Sequence, residues 1–343
     1  MTTDKMFYGS LTRISDLPVT GFEVQKVPRE HWEVGDYVVG EATVIRGGFS
    51  DVELPTGRLV NASTGDVLLG ALGVRHATLE VVGSWEEIRD DGRMDLLTAA
   101  GLIGRTTSVS GMLGTPMRLE YRGHAMRNGV KLGMRDFARR PKAARAYDVP
   151  TILVIGTSMS AGKTTSAKII VRQLKRAGLR VVGTKVTGAG RFRDILAMQD
   201  AGADAVFDFV DVGLPSSVVE EGHYRARLED LLGLIVEAKP DVVVAEAGAS
   251  PLEPYNGDTA LDHMRDSVVL TVLCASDPYA VVGVMQGYEI MRPDLVAGIA
   301  TSTSAGVEVV EKLTNTKALN LLDPNAIPKL RALLDAALAK GRP

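Results

Sequence analysis

A chain of 343 residues with 45% hydrophobic side chains, 39 basic against 42 acidic groups and a formal charge of -3 has room for two cores. It offers no field to draw nucleic acid or anionic lipid. Its single cysteine, Cys274, excludes an intramolecular disulfide and a cysteine metal cluster, and its five histidines form no H-E-x-x-H.

The opening "MTTDKMFYGS" lacks an apolar signal segment, and no apolar run is long enough to span a bilayer, so a cytoplasmic enzyme without membrane or nucleic-acid partners is expected. Residues 1–143 read as a compact β-rich accessory or substrate domain. Their short runs "DYVVGEATVI", "RLVNAS", "DVLLGALG", "ATLEVVG" and "MRLEYRG" end in Gly, Asp or Ser. One helix is expected over 93–103, "RMDLLTAAGLI". The charged stretch 135–150 ends in proline and marks a boundary.

From 150 to 343 the rhythm changes. "TILVIG", "RVVGTKV", "AVFDFVD", "DVVVAEA", "SVVLTVLCA" and "LVAGIAT" read as strands. "SAKIIVRQLKRAG", "RFRDILAMQDAG", "YRARLEDLLGLIVEAK" and "PNAIPKLRALLDAALAK" read as helices. Strands alternating with helices imply an α/β fold with a mostly parallel sheet and helices on both faces.

The segment "ILVIGTSMSAGKTTSAKIIVRQL", 152–174, carries the chemistry. A buried strand runs into a small-residue loop, and Gly162, Lys163 and Thr164 open a helix. This is the context that gives a Walker A motif its meaning. Backbone N–H groups of Gly156, Thr157, Ser158, Ser160, Ala161, Gly162 and Thr165 are placed to cradle phosphate oxygens at a helix N-terminus. Lys163 would reach the terminal phosphates and Thr164 would hold magnesium. Gly156 and Gly162 enclose five residues, one more than the common spacing.

The loop "GTSMSAGKT" resembles that of dethiobiotin synthetase and related P-loop proteins, and further matches follow in chain order over about 150–310. The resemblance implies ATP and magnesium as cofactors. It places Lys185 of "TKVTGAG" on the substrate carboxylate or carbamate and the transferred phosphoryl group. Asp194 of "RDILAMQ" and Glu246 of "AEAGAS" fall at its metal positions, and Asn315 at its base-reading position. It further implies a homodimer. Val186 stands where that family has proline, and "SPLEPYNG" replaces its glycine-rich continuation, so the substrate stays open.

The residues support these roles without the family. Lys185 closes an apolar strand at the edge where open α/β sheets bind ligands. Arg191 and Arg193 stand nearby in sequence. Glu246 ends the apolar run "DVVVAE", where an acid is costly unless paired or metal-bound. Asp194 opens a helix, where capping is its other role. Glu253, Tyr255, Asn256 and Asp258, and likewise Asp211, Ser216 and Ser217, are loop candidates for reading a polar substrate. Arg58, Asn61, Asp66, Arg75 and His76 read as hairpin and turn residues.

The leading expectation is ATP- and magnesium-dependent activation of a small carboxylate or carbamate, ending in ligation or stopping as a kinase, with Lys163 and Lys185 catalytic. The alternatives are a nucleotide-dependent switch or metallochaperone, and an acyltransferase whose loop holds another phosphorylated cofactor such as coenzyme A.

Overall fold

The computed structural model describes residues 6–44, 50–143, 145–248, 250–288 and 292–340. The chain divides into two compact units. Unit 1 is Met1–Arg139 with Ala189–Arg193 and Phe209–Glu220; unit 2 is Arg140–Gly188, Asp194–Asp208 and Glu221–Pro343.

The regular structure described in unit 1 is mostly strand. It contains β1 (Met6–Tyr8), β2 (Glu23–Gln25), β3 (Tyr37–Val44), β4 (Asp51–Glu53), β5 (Leu59–Asn61) and β6 (Val67–Leu72). After these come β7 (Val74–His76), β8 (Val81–Ser84), β9 (Arg93–Thr98), β10 (Leu102–Val109), β11 (Arg118–Arg127) and β12 (Val130–Lys131). One short helix, α1 (Leu17–Thr20), follows β1. The main sheet runs β1-β6-β3-β11-β9-β10-β8-β7, and a further β6–β10 pairing closes β6, β3, β11, β9 and β10 into a ring. Such closure removes sheet edges. Val38, Leu68, Leu72, Met94, Leu96, Ile103 and Leu119 are buried in one apolar cluster of this unit. Closure needs glycine. A Cβ on Gly70 of β6 would lie 2.3 Å from the Gly101 carbonyl oxygen, and Gly101 itself turns the chain at φ +93.

The helix expected over 93–103 is therefore wrong. Those residues form β9, a turn and the start of β10. Met94 to Thr98 are buried without a break, and a strand covered on both faces cannot be told from a buried helix by periodicity. The left-handed Gly101 ends any helical register there.

Unit 2 is built on six parallel strands: β13 (Thr151–Gly156), β14 (Val181–Thr187), β15 (Ala205–Asp208), β16 (Val242–Ala247), β17 (Val268–Cys274) and β18 (Leu295–Ala297). Their order is β15-β14-β16-β13-β17-β18. Flanking helices are α2 (Lys163–Arg176), α3 (Phe192–Asp200, whose first two residues belong to unit 1), α4 (Glu221–Glu237) and α5 (Gly257–Met264). Then come α6 (Pro278–Gly287), α7 (Ser304–Thr314) and α8 (Ile327–Lys340). Ile152, Val154, Val242, Val244 and Val272 of the sheet pack with Ile170 and Leu174 of α2 and Leu330 and Leu334 of α8.

The architecture is thus α/β, a parallel sheet flanked by helices, together with a β-rich unit. Three helices of unit 2, α5, α6 and α7, lie outside the helices expected from sequence. Caps explain two of them: Asp277 accepts from the Tyr279 and Ala280 amides to start α6, and Thr303 accepts from Gly306 to start α7. The strand expected over "LVAGIAT" stops at Ala297, and Ile299–Thr301 is a 3₁₀ turn. Among the described residues no helix is long and apolar enough to cross a membrane.

Candidate functional site

At the C-terminal edge of the parallel sheet, β13 ends and the chain wraps through 157–162 into α2. Ser160 and Gly162 take left-handed backbone angles, φ 62 and φ 101. Alternating the sign of φ turns successive N–H groups inward, the geometry of an anion nest. The loop is tied down on two sides. The Thr157 amide donates to the Cys274 carbonyl at 3.0 Å, and its hydroxyl accepts from the Ser276 amide at 3.2 Å. Gly298 lies so close that a Cβ there would be 2.2 Å from the Ala161 carbonyl oxygen, with φ at +87. Gly298→Ala should therefore cost about 3 kcal/mol or more of stability, from backbone strain plus overlap. Urea unfolding measures it, and a loss near zero would show that this approach does not brace the loop.

Lys163 folds back over the loop. Its Nζ donates to the Ser158 carbonyl at 2.7 Å, and a Cβ on Gly156 would come within 2.8 Å of that Nζ. The Thr164 hydroxyl donates to the Glu246 carboxylate, 3.0 and 3.2 Å from its two oxygens. Strand register explains the neighbours: Lys185 of β14 pairs with Glu246 of β16 on one side and with Asp208 of β15 on the other. In-register partners on parallel strands share a face, so Asp208, Lys185 and Glu246 form a charged row. Lys185 Nζ reaches Asp194 Oδ2 at 2.5 Å.

All of these are buried or half-buried, with Lys163, Lys185 and Glu246 at most 6% exposed. Burial pulls the Lys163 ammonium below the usual lysine range, with Glu246 opposing. Burial also pulls Lys185 down, but the carboxylates of Asp194 and Glu246 outweigh it and hold that ammonium above its ordinary value. Burial pushes the Glu246 carboxyl up, Asp194 adds to the rise, and Lys185 and Lys163 oppose it. Cys274, packed on the Ser166 hydroxyl at 3.3 Å, is pushed up to about 12 by burial, so it is an inert thiol.

The structure thus brings Lys163, Thr164, Lys185, Asp194 and Glu246 together. Thr165 is exposed on the first turn of α2. Asn315 stands apart from the expected strand end. It is the exposed left-handed C-cap of α7, φ 51, its amide donating to Glu311. The 248–258 candidates mostly build their own loop: Glu253 accepts from the Ser250 amide at 2.9 Å, Tyr255 is buried and Asn256 precedes α5 in a left-handed conformation. Asp211, Ser216 and Ser217 belong to unit 1, where Asp211 meets Arg13 and Arg139 and Ser216 bonds the Val74 carbonyl. Asp208 was missed. The signal was present, an acid closing the apolar run "AVFD", the same argument that picks out Glu246.

Oxygen donors at Thr164 and Glu246 suit magnesium, which takes one or two carboxylates and keeps waters and phosphates for the rest. Among the described residues no three His, Cys, Asp or Glu side chains gather into a metal set. The parallel sheet, the wrapped loop and the lysine–threonine pair opening α2 define a P-loop-like α/β fold.

No family model and no curated protein matches the sequence. Among solved structures, the chain is similar to chloroplast FtsY from Physcomitrella patens at 14% identity, over 52% of this chain and 61% of that one, TM-score 0.35. A DUF1611 family protein from Anabaena variabilis is similar at 16% identity over 59% and 62%, TM-score 0.38. HypB from Helicobacter pylori, in complex with nickel, is similar at 13% identity over 57% and 89%, TM-score 0.37. The chain spans less than two thirds of the FtsY and DUF1611 chains.

Proposed function

We propose that unit 2 binds a magnesium–nucleoside triphosphate in the 156–165 loop and cleaves or transfers its terminal phosphoryl group. The observation that carries this reading is the Thr164 hydroxyl against the buried Glu246 carboxyl, with the Lys163 and Lys185 ammonium groups beside it opposing the rise that burial gives its pKa. Thr164 and Glu246 would hold the cation, with Asp194 a further acid beside Lys185. Bound magnesium supplies charge neutralisation on the phosphate oxygens. Lys163, freed from the Ser158 carbonyl, orients the terminal phosphates. Lys185 offsets charge that builds up on the transferring group.

The product of that chemistry is a change of nucleotide state. The segments leaving β14 and β15, Ala189–Arg193 and Phe209–Glu220, are part of unit 1, although the strands end at the phosphate edge. This favours a nucleotide-dependent switch. The second reading is phosphorylation of a small carboxylate or carbamate, as the dethiobiotin synthetase resemblance implies. It is favoured by the buried Lys185 packing against Gly188, where a Cβ would be 3.1 Å from Lys185 Cε, so that glycine there leaves the ammonium its place at the strand end. A cytoplasmic homodimer using ATP belongs to that same reading.

Phosphate release by the purified chain, with ATP and GTP, with and without magnesium, tests the proposal. Magnesium-dependent turnover is expected. Absence of binding to either nucleotide at millimolar concentration would overturn it. Stimulation by a protein fraction selects the switch; stimulation by a small acid, with a phosphorylated or ligated product, selects the second reading.

A further inference from the structure

Glu53 is a fully buried carboxylate at the end of β4, in unit 1. Its Oε1 accepts from the Ser10 hydroxyl at 2.5 Å and from the Phe192 amide at 2.7 Å; its Oε2 accepts from the Arg193 amide at 3.2 Å. Phe192 and Arg193 are the first two residues of α3. A helix leaves its first N–H groups without intrahelical partners, and here a residue 139 positions away supplies two of the missing acceptors. Its negative charge also complements the positive end of the helix. Arg13 fixes the same turn from another side, its guanidinium 4.7 Å from the Phe192 ring centroid and paired with Asp211 at 3.4 Å.

The next residue of α3 is Asp194, which holds Lys185. We infer that Glu53 is a positioning residue for the phosphate site: it caps the first turn of α3, the helix whose third residue, Asp194, holds Lys185. The inference rests on the phosphate-site reading above. Loss of the Glu53 cap frees the start of α3, and Asp194 then leaves Lys185 misplaced.

The test uses the full chain and whichever magnesium–nucleotide it hydrolyses. Glu53→Gln keeps the shape but replaces one acceptor oxygen with a donor. Turnover should fall about tenfold, the effect of losing one charge-assisted hydrogen bond, while nucleotide affinity stays within about twofold because the loop contacts are untouched. In a double-mutant cycle, Glu53→Gln should add little to the loss caused by Asp194→Asn. A general structural defect would add in full, and such additivity, or unchanged turnover in Glu53→Gln, would overturn the inference. Should Glu53→Gln fail to fold, Glu53→Asp carries the same cycle, since it keeps the charge and shortens the reach. If the unaltered chain binds and hydrolyses no nucleotide, the phosphate-site reading falls instead. Hydrogen exchange at the Phe192 and Arg193 amides then decides the clamp: acceleration in Glu53→Gln retains it, and unchanged exchange removes it.

Discussion

Lys163→Ala should lower nucleotide turnover about a thousandfold and leave the melting temperature within a few degrees. The rate loss follows from removing a desolvated ammonium from the place where phosphate charge develops, where electrostatic groups have their largest effects. The small stability effect follows from the same burial. Lys163 is held below its ordinary pKa range because the surroundings disfavour its charge, so its removal also removes a desolvation cost. What is lost in exchange is one hydrogen bond to the Ser158 carbonyl and part of the charge balance on Glu246, which Lys185 still supplies. Phosphate release and a thermal melt on the same preparation check both halves. Near-normal turnover in this variant would remove Lys163 from the chemistry and the loop from nucleotide binding.

The contrast between Lys163 and Glu53 shows what a sequence of this kind discloses. Strand, loop, Lys163, Thr164 and α2 are contiguous, so local pattern alone locates them. Glu246 and Lys185 are also readable, because a charged residue closing an apolar strand violates burial unless something answers it. Asp208 obeys the same rule and could have been found by it. Glu53 could not. Its strand is three residues long, its acid alternates like any surface acid, and its partners lie in another part of the chain. The same nonlocality hides the ring closure at Gly70 and Gly101 and the membership of 189–193 and 209–220 in unit 1. The segment 93–103 failed for a different reason. Its apolar residues, interrupted at Asp95 and Thr98, fit helix and strand alike, and only sheet pairing decides between them.

Glu246→Gln should have opposite effects on activity and stability. Turnover falls about a hundredfold, and the magnesium concentration for half-maximal rate rises, because a neutral amide neither attracts the cation nor orders it through Thr164. Stability in magnesium-free buffer moves the other way. Burial first, and Asp194 second, hold the Glu246 carboxyl above its unfolded pKa. Such a group contributes stability only while protonated. That contribution is complete below the ordinary carboxylate pKa and is lost as pH rises through the folded value. At neutral pH, above the unfolded value, the native protein is therefore less stable than it would be with a neutral side chain in this place, and Glu246→Gln removes that cost. Lys185 loses one of its three carboxylate neighbours but keeps Asp208 and Asp194, the latter the largest influence of the three. The variant should thus melt higher than the native protein at about pH 8, with the gap closing towards about pH 4 as Glu246 protonates. Added magnesium–nucleotide should raise the melting point of the native protein and leave that of the variant nearly unmoved, since only a bound ligand shifts the equilibrium. Melts across pH, with and without magnesium–nucleotide, read all of this at once. A variant that melts lower at every pH while keeping its magnesium dependence would mean that Glu246 is a structural acid, its charge answered by the two lysines alone.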